Sequence, residues 1–158
     1  MGDVLTREQL AERVARERAS GRTIAFANGC FDLLHVGHVR YLEGSAQEAD
    51  VLVVALNDDA MVRQLKGEHR PILAAEHRAA LVAALRCVDC VVIFPEPTVG
   101  PLLQLLQPDV HCKGTDYTVD SVPERAVVES YGGRTAIVGD PKDHSTRDLL
   151  TRIADGAR

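Results

Sequence analysis

The segment 51–56, Val-Leu-Val-Val-Ala-Leu, has no polar residue at alternate positions. A strand with one face in water alternates apolar and polar side chains, so an unbroken apolar run must be covered on both faces. Four further short runs recur along the chain: 23–27, 91–94, 109–112 and 134–138. Between them lie stretches with helical spacing at 37–48, 58–65, 75–86, 98–106, 122–132 and 145–154. Thr6-Arg7-Glu8-Gln9 has the pattern of a capping box, starting a helix that ends at Ser20-Gly21. Thr98 and Ser145 are placed to cap their helices, Pro123 opens one, and Gly132-Gly133 closes it. Strands that alternate with helices require crossover connections, which are right-handed. The expected fold is therefore α/β: a Rossmann-like, doubly wound, parallel five-stranded sheet with helices on both faces. A single domain is expected over 22–154, with a helical extension at 1–21 and a tail at 155–158.

Charge narrows the partners. The chain carries 18 Lys and Arg against 23 Asp and Glu, a net charge of −5, with no basic stripe. Nucleic acid is therefore not an expected partner, whereas a small phosphorylated ligand needs only a local positive site. No apolar stretch is long enough to span a bilayer. Residues 1–20 are charged and lack the apolar segment of a secretory signal, so a cytoplasmic setting without membrane contact is expected. Of the four cysteines, Cys87 and Cys90 have zinc or redox spacing. No second pair stands near them and they flank an apolar strand, so both are expected to be buried structural thiols.

In doubly wound sheets ligands bind beyond the carboxyl ends of the strands, near the switch in strand order. The loop after 23–27 runs from Asn28 to His38. It has neither the G-x-G-x-x-G spacing of a dinucleotide site nor a G-x-x-x-x-G-K-[ST] phosphate loop. Gly29 permits close backbone approach, and Gly37 stands at a helix start, where unpaired N–H groups favour anions. His35 and His38 can add ring donors. Three readings fit these residues: exposed loop histidines, an H-x-x-H metal site short of further ligands, or phosphate binding on a nucleotide.

Phe31-Asp32-x-x-His35-x-Gly37-His38 resembles the signature of the H-x-G-H nucleotidyltransferase superfamily, in its cytidylyltransferase-like branch. The whole stretch NGCFDLLHVGHVRYL is most similar to the heptose 1-phosphate adenylyltransferases. LNDDA, LKGEHRPI, EHR, VDCVVIF, CKGTDY and HSTRDLL follow in the order found there, so the resemblance runs from Thr23 to Ile153. It implies attack of a sugar-phosphate oxygen on the α-phosphorus of ATP, loss of pyrophosphate, and no covalent enzyme intermediate. The product would be an ADP-sugar, with D-glycero-β-D-manno-heptose 1-phosphate as the expected acceptor and Mg2+ bridging the triphosphate.

The resemblance assigns catalytic roles to His35, His38, Lys66 and Arg78. His35 and His38 would contact the triphosphate, and Lys66 would draw a phosphate into line. Arg78 would reach the triphosphate as well; no acid at Ala74 or Val82 offers it a helical ion pair. Asn28, Gly29, Cys30 and Phe31 would cradle the nucleotide, and Asp32 would either orient a histidine or hold a turn. Asn57, Lys113, Gly114, Asp116, Ser145 and Thr146 complete the nucleotide set, and a homodimer is implied.

Some residues depart from the pattern. Thr115 stands where KGGDY has glycine, Arg147 replaces a threonine, and His144 precedes the Ser-Thr pair. The cytidylyltransferases carry an arginine before that pair, whereas this chain has only Lys142 nearby. This weighs against the alternative of a cytidylyltransferase acting on glycerol 3-phosphate or a similar alcohol phosphate. A non-catalytic nucleotide-binding domain is the other alternative.

Overall fold

The computed structural model describes residues 1–141 and 145–156. Among them six strands form one parallel sheet: β1 (Asp3–Val4), β2 (Ile24–Gly29), β3 (Val51–Asn57), β4 (Cys90–Phe94), β5 (Val110–Gly114) and β6 (Arg134–Val138). Their order is β1-β4-β3-β2-β5-β6. The helices are α1 (Arg7–Ala19), α2 (Val36–Ala46), α3 (Asp59–Lys66), α4 (Ala75–Ala83), α5 (Gly100–Leu106), α6 (Arg125–Ser130) and α7 (Thr146–Ala154). None is long and apolar enough to cross a membrane.

The sheet has one strand more than expected. β1 is two exposed residues that pair in parallel with Cys90 and Val91 at the free edge of β4. Backbone bonds hold it on either side, from Gly2 N to Ala83 O at 2.7 Å and from Leu5 N to Val91 O at 2.9 Å. A strand specified by its partner's backbone leaves no hydrophobic pattern to read.

Side chains cap the starts of α1, α3 and α7, but not those of α4, α5 and α6. Thr6 Oγ1 accepts from Gln9 N while Gln9 Oε1 accepts from Thr6 N, the reciprocal box expected for α1. Ser145 Oγ accepts from Asp148 N at the start of α7. Thr98 does not cap α5: Val99 occupies that position without a side-chain bond, and Pro101 in the first turn, which has no N–H to satisfy, helps start the helix instead.

β3 is buried along its whole length, as its unalternating sequence requires. Leu52, Val54 and Leu56 face α2 and α4 with Leu42, Ala79 and Val82. Val51, Val53 and Ala55 face the other layer, where Leu10 and Val14 of α1 join Leu102, Leu103 and Leu106 of α5 and Val128 of α6. The chain passes from β2 to β3 on one side and later reaches β5 on the other, both beside β2. The switch in strand order therefore opens at the carboxyl ends of β2 and β5.

α2 closes over this end at Gly44. A Cβ there would lie 3.2 Å from both Gly139 N and Val138 Cβ, at the end of β6. Gly139 has φ +91°, and a Cβ there would in turn lie 3.3 Å from Tyr41 Cα of the same helix, so helix and strand end leave each other little room. Gly44→Val is expected to destabilise the protein by about 1–3 kcal/mol, the usual range for overpacking. Urea unfolding monitored by circular dichroism measures this; an unchanged midpoint would show that α2 and β6 are not pressed together.

Candidate functional site

A cleft of about 1090 Å³ opens at that end of the sheet, between the start of α2 and the start of α7. That is at the upper limit of ordinary small-molecule sites. Asn28, Gly29, Cys30, Phe31, Asp32, His35, Gly37 and His38 line one side. Asn57, Lys66, Lys113, Gly114, Asp116, Ser145 and Thr146 complete the sequence-predicted set. Arg78 is not on the wall. Lys142 and His144 lie outside the described residues.

The two histidines are built as a unit. After β2 the chain turns through Phe31 (φ 48°) and Leu33 (φ 60°), both left-handed, and enters α2 with His35 as its N-cap. Gly29 makes room for this turn, because a Cβ there would meet the Phe31 ring at 3.0 Å. The His35 and His38 rings stack with centroids 3.8 Å apart, and the Phe31 ring lies 5.3 Å from that of His38. His38 Nδ1 is placed to accept from His35 N at 3.4 Å, which puts the proton of the neutral ring on Nε2. Burial, with the neighbouring His35, pushes His38 down to about 4. At neutral pH it is therefore an uncharged N–H donor beside unpaired N–H groups of a helix start.

Two expectations are decided by the structure. Of the two roles left open for Asp32, orienting a histidine or holding a turn, only the second fits: among the described residues its carboxylate bonds to no histidine. Its carboxylate accepts from Ile72 N, from Leu73 N at 3.1 Å and from Arg70 Nε at 2.6 Å, clamping the strap 70–73 onto the cleft. Burial alone would raise its pKa; the Ile72 and Leu73 amides and Arg70 outweigh that and hold it below the usual carboxylate value.

Arg78 does not reach the cleft. It is 0% exposed and donates to Leu73 O (2.9 Å), Cys30 O (2.6 Å), Asn57 O (2.9 Å) and Asp59 Oδ1 (2.7 Å). It lies on the inward face of α4 with Ala79 and Val82, and its carboxylate partner is on a different helix.

The other walls carry the cations. Lys66, the last residue of α3, is exposed and makes no ion pair among the described residues. Lys113 is largely buried, 3.7 Å from Glu124 and 4.8 Å from the centre of the Tyr117 ring. Its burial pulls its pKa down against the opposing pull of Glu124. Thr146 Oγ1 donates to Asp32 O at 2.9 Å, tying α7 to the histidine loop. Asn57 Oδ1 lies 3.7 Å from Cys30 Sγ. Arg147 is exposed on the wall.

Tyr117, in the CKGTDY loop noted from the sequence, lines the cleft, as do Arg70 and Arg40, two arginines that carry no spacing signal; Arg40 pairs with Asp140 at 2.8 Å. Thr115, noted as a departure, donates to Asp140 O and holds its loop to the end of β6. The four cysteines are free, with Cys90 and Cys112 buried and Cys30 and Cys87 partly so. Among the described residues no group of three or more His, Cys, Asp or Glu could hold a metal ion.

The chain is similar to several known proteins. The family model described as cytidylyltransferase-like matches residues 26–151. The chain is 50% identical over 144 residues to the bifunctional protein HldE of Geobacter sulfurreducens, covering 91% of this chain and 29% of that protein. It is 46% identical over 149 residues to the bifunctional protein HldE of Syntrophotalea carbinolica, covering 94% and 30%. The chain thus spans about three tenths of the length of these curated relatives. A crystal structure of the lipopolysaccharide core biosynthesis protein from Thermoplasma volcanium superimposes with a TM-score of 0.66 at 26% identity, covering 77% of this chain and all of that one.

The Asp32 clamp has a defined pH signature. A carboxylate whose pKa is depressed by folding adds stability above its unfolded value, about 3.9, and loses it as the pH falls through the folded value. Asp32→Asn is expected to be less stable at pH 7 by about 1–3 kcal/mol. The gap should narrow below about pH 4, first as the carboxyl of the unfolded chain protonates and then, at lower pH, as the folded one does. Urea midpoints of both proteins between pH 7 and pH 2.5 measure it; a gap that did not narrow on acidification would remove the clamp.

Proposed function

Because the chain belongs to the cytidylyltransferase-like family, we propose that its cleft transfers the adenylyl group of ATP to a sugar 1-phosphate, releasing pyrophosphate and forming an ADP-sugar. The acceptor we favour is D-glycero-β-D-manno-heptose 1-phosphate. The resemblance along nearly the whole chain supports it, as do the HldE relatives and the lipopolysaccharide-core neighbour. The observation that carries the proposal is the stacked pair of imidazoles at the start of α2, facing a cleft with Lys66 and Lys113 on its other walls.

An oxygen of the acceptor phosphate forms a bond to the α-phosphorus of ATP. The bond from that phosphorus to the bridging oxygen breaks, and pyrophosphate leaves with the electron pair. The chain contributes position and charge stabilisation, without a covalent intermediate. His38 Nε2–H and His35 donate to phosphoryl oxygens as charge builds on them, together with the first N–H groups of α2. Lys66 and Lys113 balance the phosphates of leaving group and acceptor. The Asp32 and Arg78 contacts act behind the wall: they keep loop and strap in place so that these donors need not move during the reaction.

Magnesium belongs to this proposal as part of the ATP substrate, since the ion keeps waters and phosphate oxygens as its main ligands. Its chemistry there is to neutralise charge between phosphates. We place the reaction in the cytoplasm, where ATP is available, and in a homodimer; sedimentation velocity should return twice the mass of the chain, and a monomer at working concentration would remove the dimer.

A pyrophosphate-release screen of the four nucleoside triphosphates against sugar 1-phosphates and glycerol 3-phosphate tests the reaction. Turnover is expected with ATP and a heptose 1-phosphate. CTP with glycerol 3-phosphate as the productive pair would instead establish the cytidylyltransferase reading that the family's name suggests. Triphosphate binding without turnover on any acceptor would leave a nucleotide-binding domain. His38→Ala should lower kcat by about 10²–10³-fold, the effect of losing one such donor elsewhere. Wild-type turnover in that variant would refute the role given to His38.

A further inference from the structure

His111 lies in β5 with no exposed surface, its ring centre 6.0 Å from that of Phe26 on the neighbouring β2. Its Nε2 stands 3.0 Å from Asn28 Oδ1, and its Nδ1 has no hydrogen-bond partner among the described residues. Asn28 lies near the end of β2 and lines the cleft. A buried imidazole next to a cleft asparagine calls for an account, because an aliphatic side chain would fill the same space without polar atoms to desolvate.

The unpartnered Nδ1 decides where the proton sits. If Nδ1 carried it, a buried N–H would be orphaned, which proteins almost never tolerate. If Nε2 carries it, Nδ1 keeps only an unfilled lone pair, which costs less, and Nε2–H donates to Asn28 Oδ1. The amide of Asn28 then has a fixed sense. Its oxygen is turned back onto β5, and its NH2 is the end left to meet a ligand. The opposite rotamer would present an oxygen to the cleft, and an oxygen repels phosphate.

Burial, with the charge of Lys113 two residues along, pushes His111 down to about 3, so the ring stays neutral and in one role at working pH. The β2–β5 register pairs Ala27 with Cys112, so Asn28 and Lys113 each follow the last paired residue of their strand, and both line the cleft.

We propose that His111 is a positioning residue: by donating to Asn28 Oδ1 it locks the Asn28 amide with its NH2 presented to a phosphate oxygen of the nucleotide. This rests on the proposed use of the cleft for a nucleoside triphosphate and adds to it the device that sets the polarity of one wall. The lock acts without touching the ligand.

Two measurements test it. Nitrogen-15 NMR of histidine-labelled protein at pH 7, with His111 assigned by substitution, should show the Nε2–H tautomer. Calorimetric titration with ATP should show His111→Leu binding about tenfold more weakly than wild type, the size of one lost hydrogen-bond contribution. His111→Gln, whose amide can donate in the same place, should recover most of that loss. The double variant His111→Leu with Asn28→Ala should bind no more weakly than Asn28→Ala alone, because two residues acting as one contact are not additive.

A ring protonated on Nδ1, wild-type affinity in His111→Leu, or additive losses in the double variant would each overturn the lock. The tautomer decides the case even for a variant that folds poorly. Wild-type protein that binds no triphosphate would overturn the proposed reaction and the lock together, whereas ATP binding that ignores His111 would overturn the lock alone.

Discussion

The guanidinium of Arg78, shut away from solvent, receives oxygens from the loop after β2, the end of β3, the first turn of α3 and the strap before α4. Parallel strands leave their carboxyl ends as separate loops with backbone carbonyls that need donors. Here one planar fork supplies them, with Asp59 balancing its charge. Removing such a group would leave three carbonyls and a carboxylate without their donor, a loss larger than that of a surface contact. The histidine loop, Asn57 and the strap held by Asp32 keep their relation through this side chain.

On that frame the cleft restrains its own charge. His38 and His111 are kept neutral by burial, and Lys113, Arg70 and Arg40 each face a carboxylate. Donors that are neutral or partly balanced can be packed together without pushing one another apart. An anion entering such a site would meet mostly fixed donors, with the exposed Lys66 and Arg147 also on the wall, and fixed donors need little reorganisation when charge shifts.

The layered fold was legible because it rests on burial. The run at 51–56 requires two covered faces, and both are present. β1 was not legible, since two exposed residues held by backbone bonds carry no pattern. The histidine loop could be located from its residues and from its resemblance to a known signature, but the stacking of the rings depends on left-handed turns at Phe31 and Leu33 that no propensity announces. Arg78 was placed in the right region and given the wrong direction, and Asp32, left open between a histidine and a turn, holds backbone. An arginine on a helix reads as exposed unless its partners are known, and Asp59, Leu73, Asn57 and Cys30 are scattered over four other segments. His111 was passed over because a histidine in an apolar strand has no spacing signal; its meaning comes from a neighbour 83 residues away in the chain.

The two-residue strand at the sheet margin has a consequence for colloidal behaviour. β4 is five apolar, β-favouring residues, Cys90 to Phe94, and such a run with an open backbone is a template for pairing with another molecule. Asp3 and Val4 cover the start of that edge with a pair too short to recruit a further strand, and Asp3 adds a charge that discourages stacking. This small flap shields the start of the β4 edge, and its removal would leave those backbone groups open to pairing with another strand.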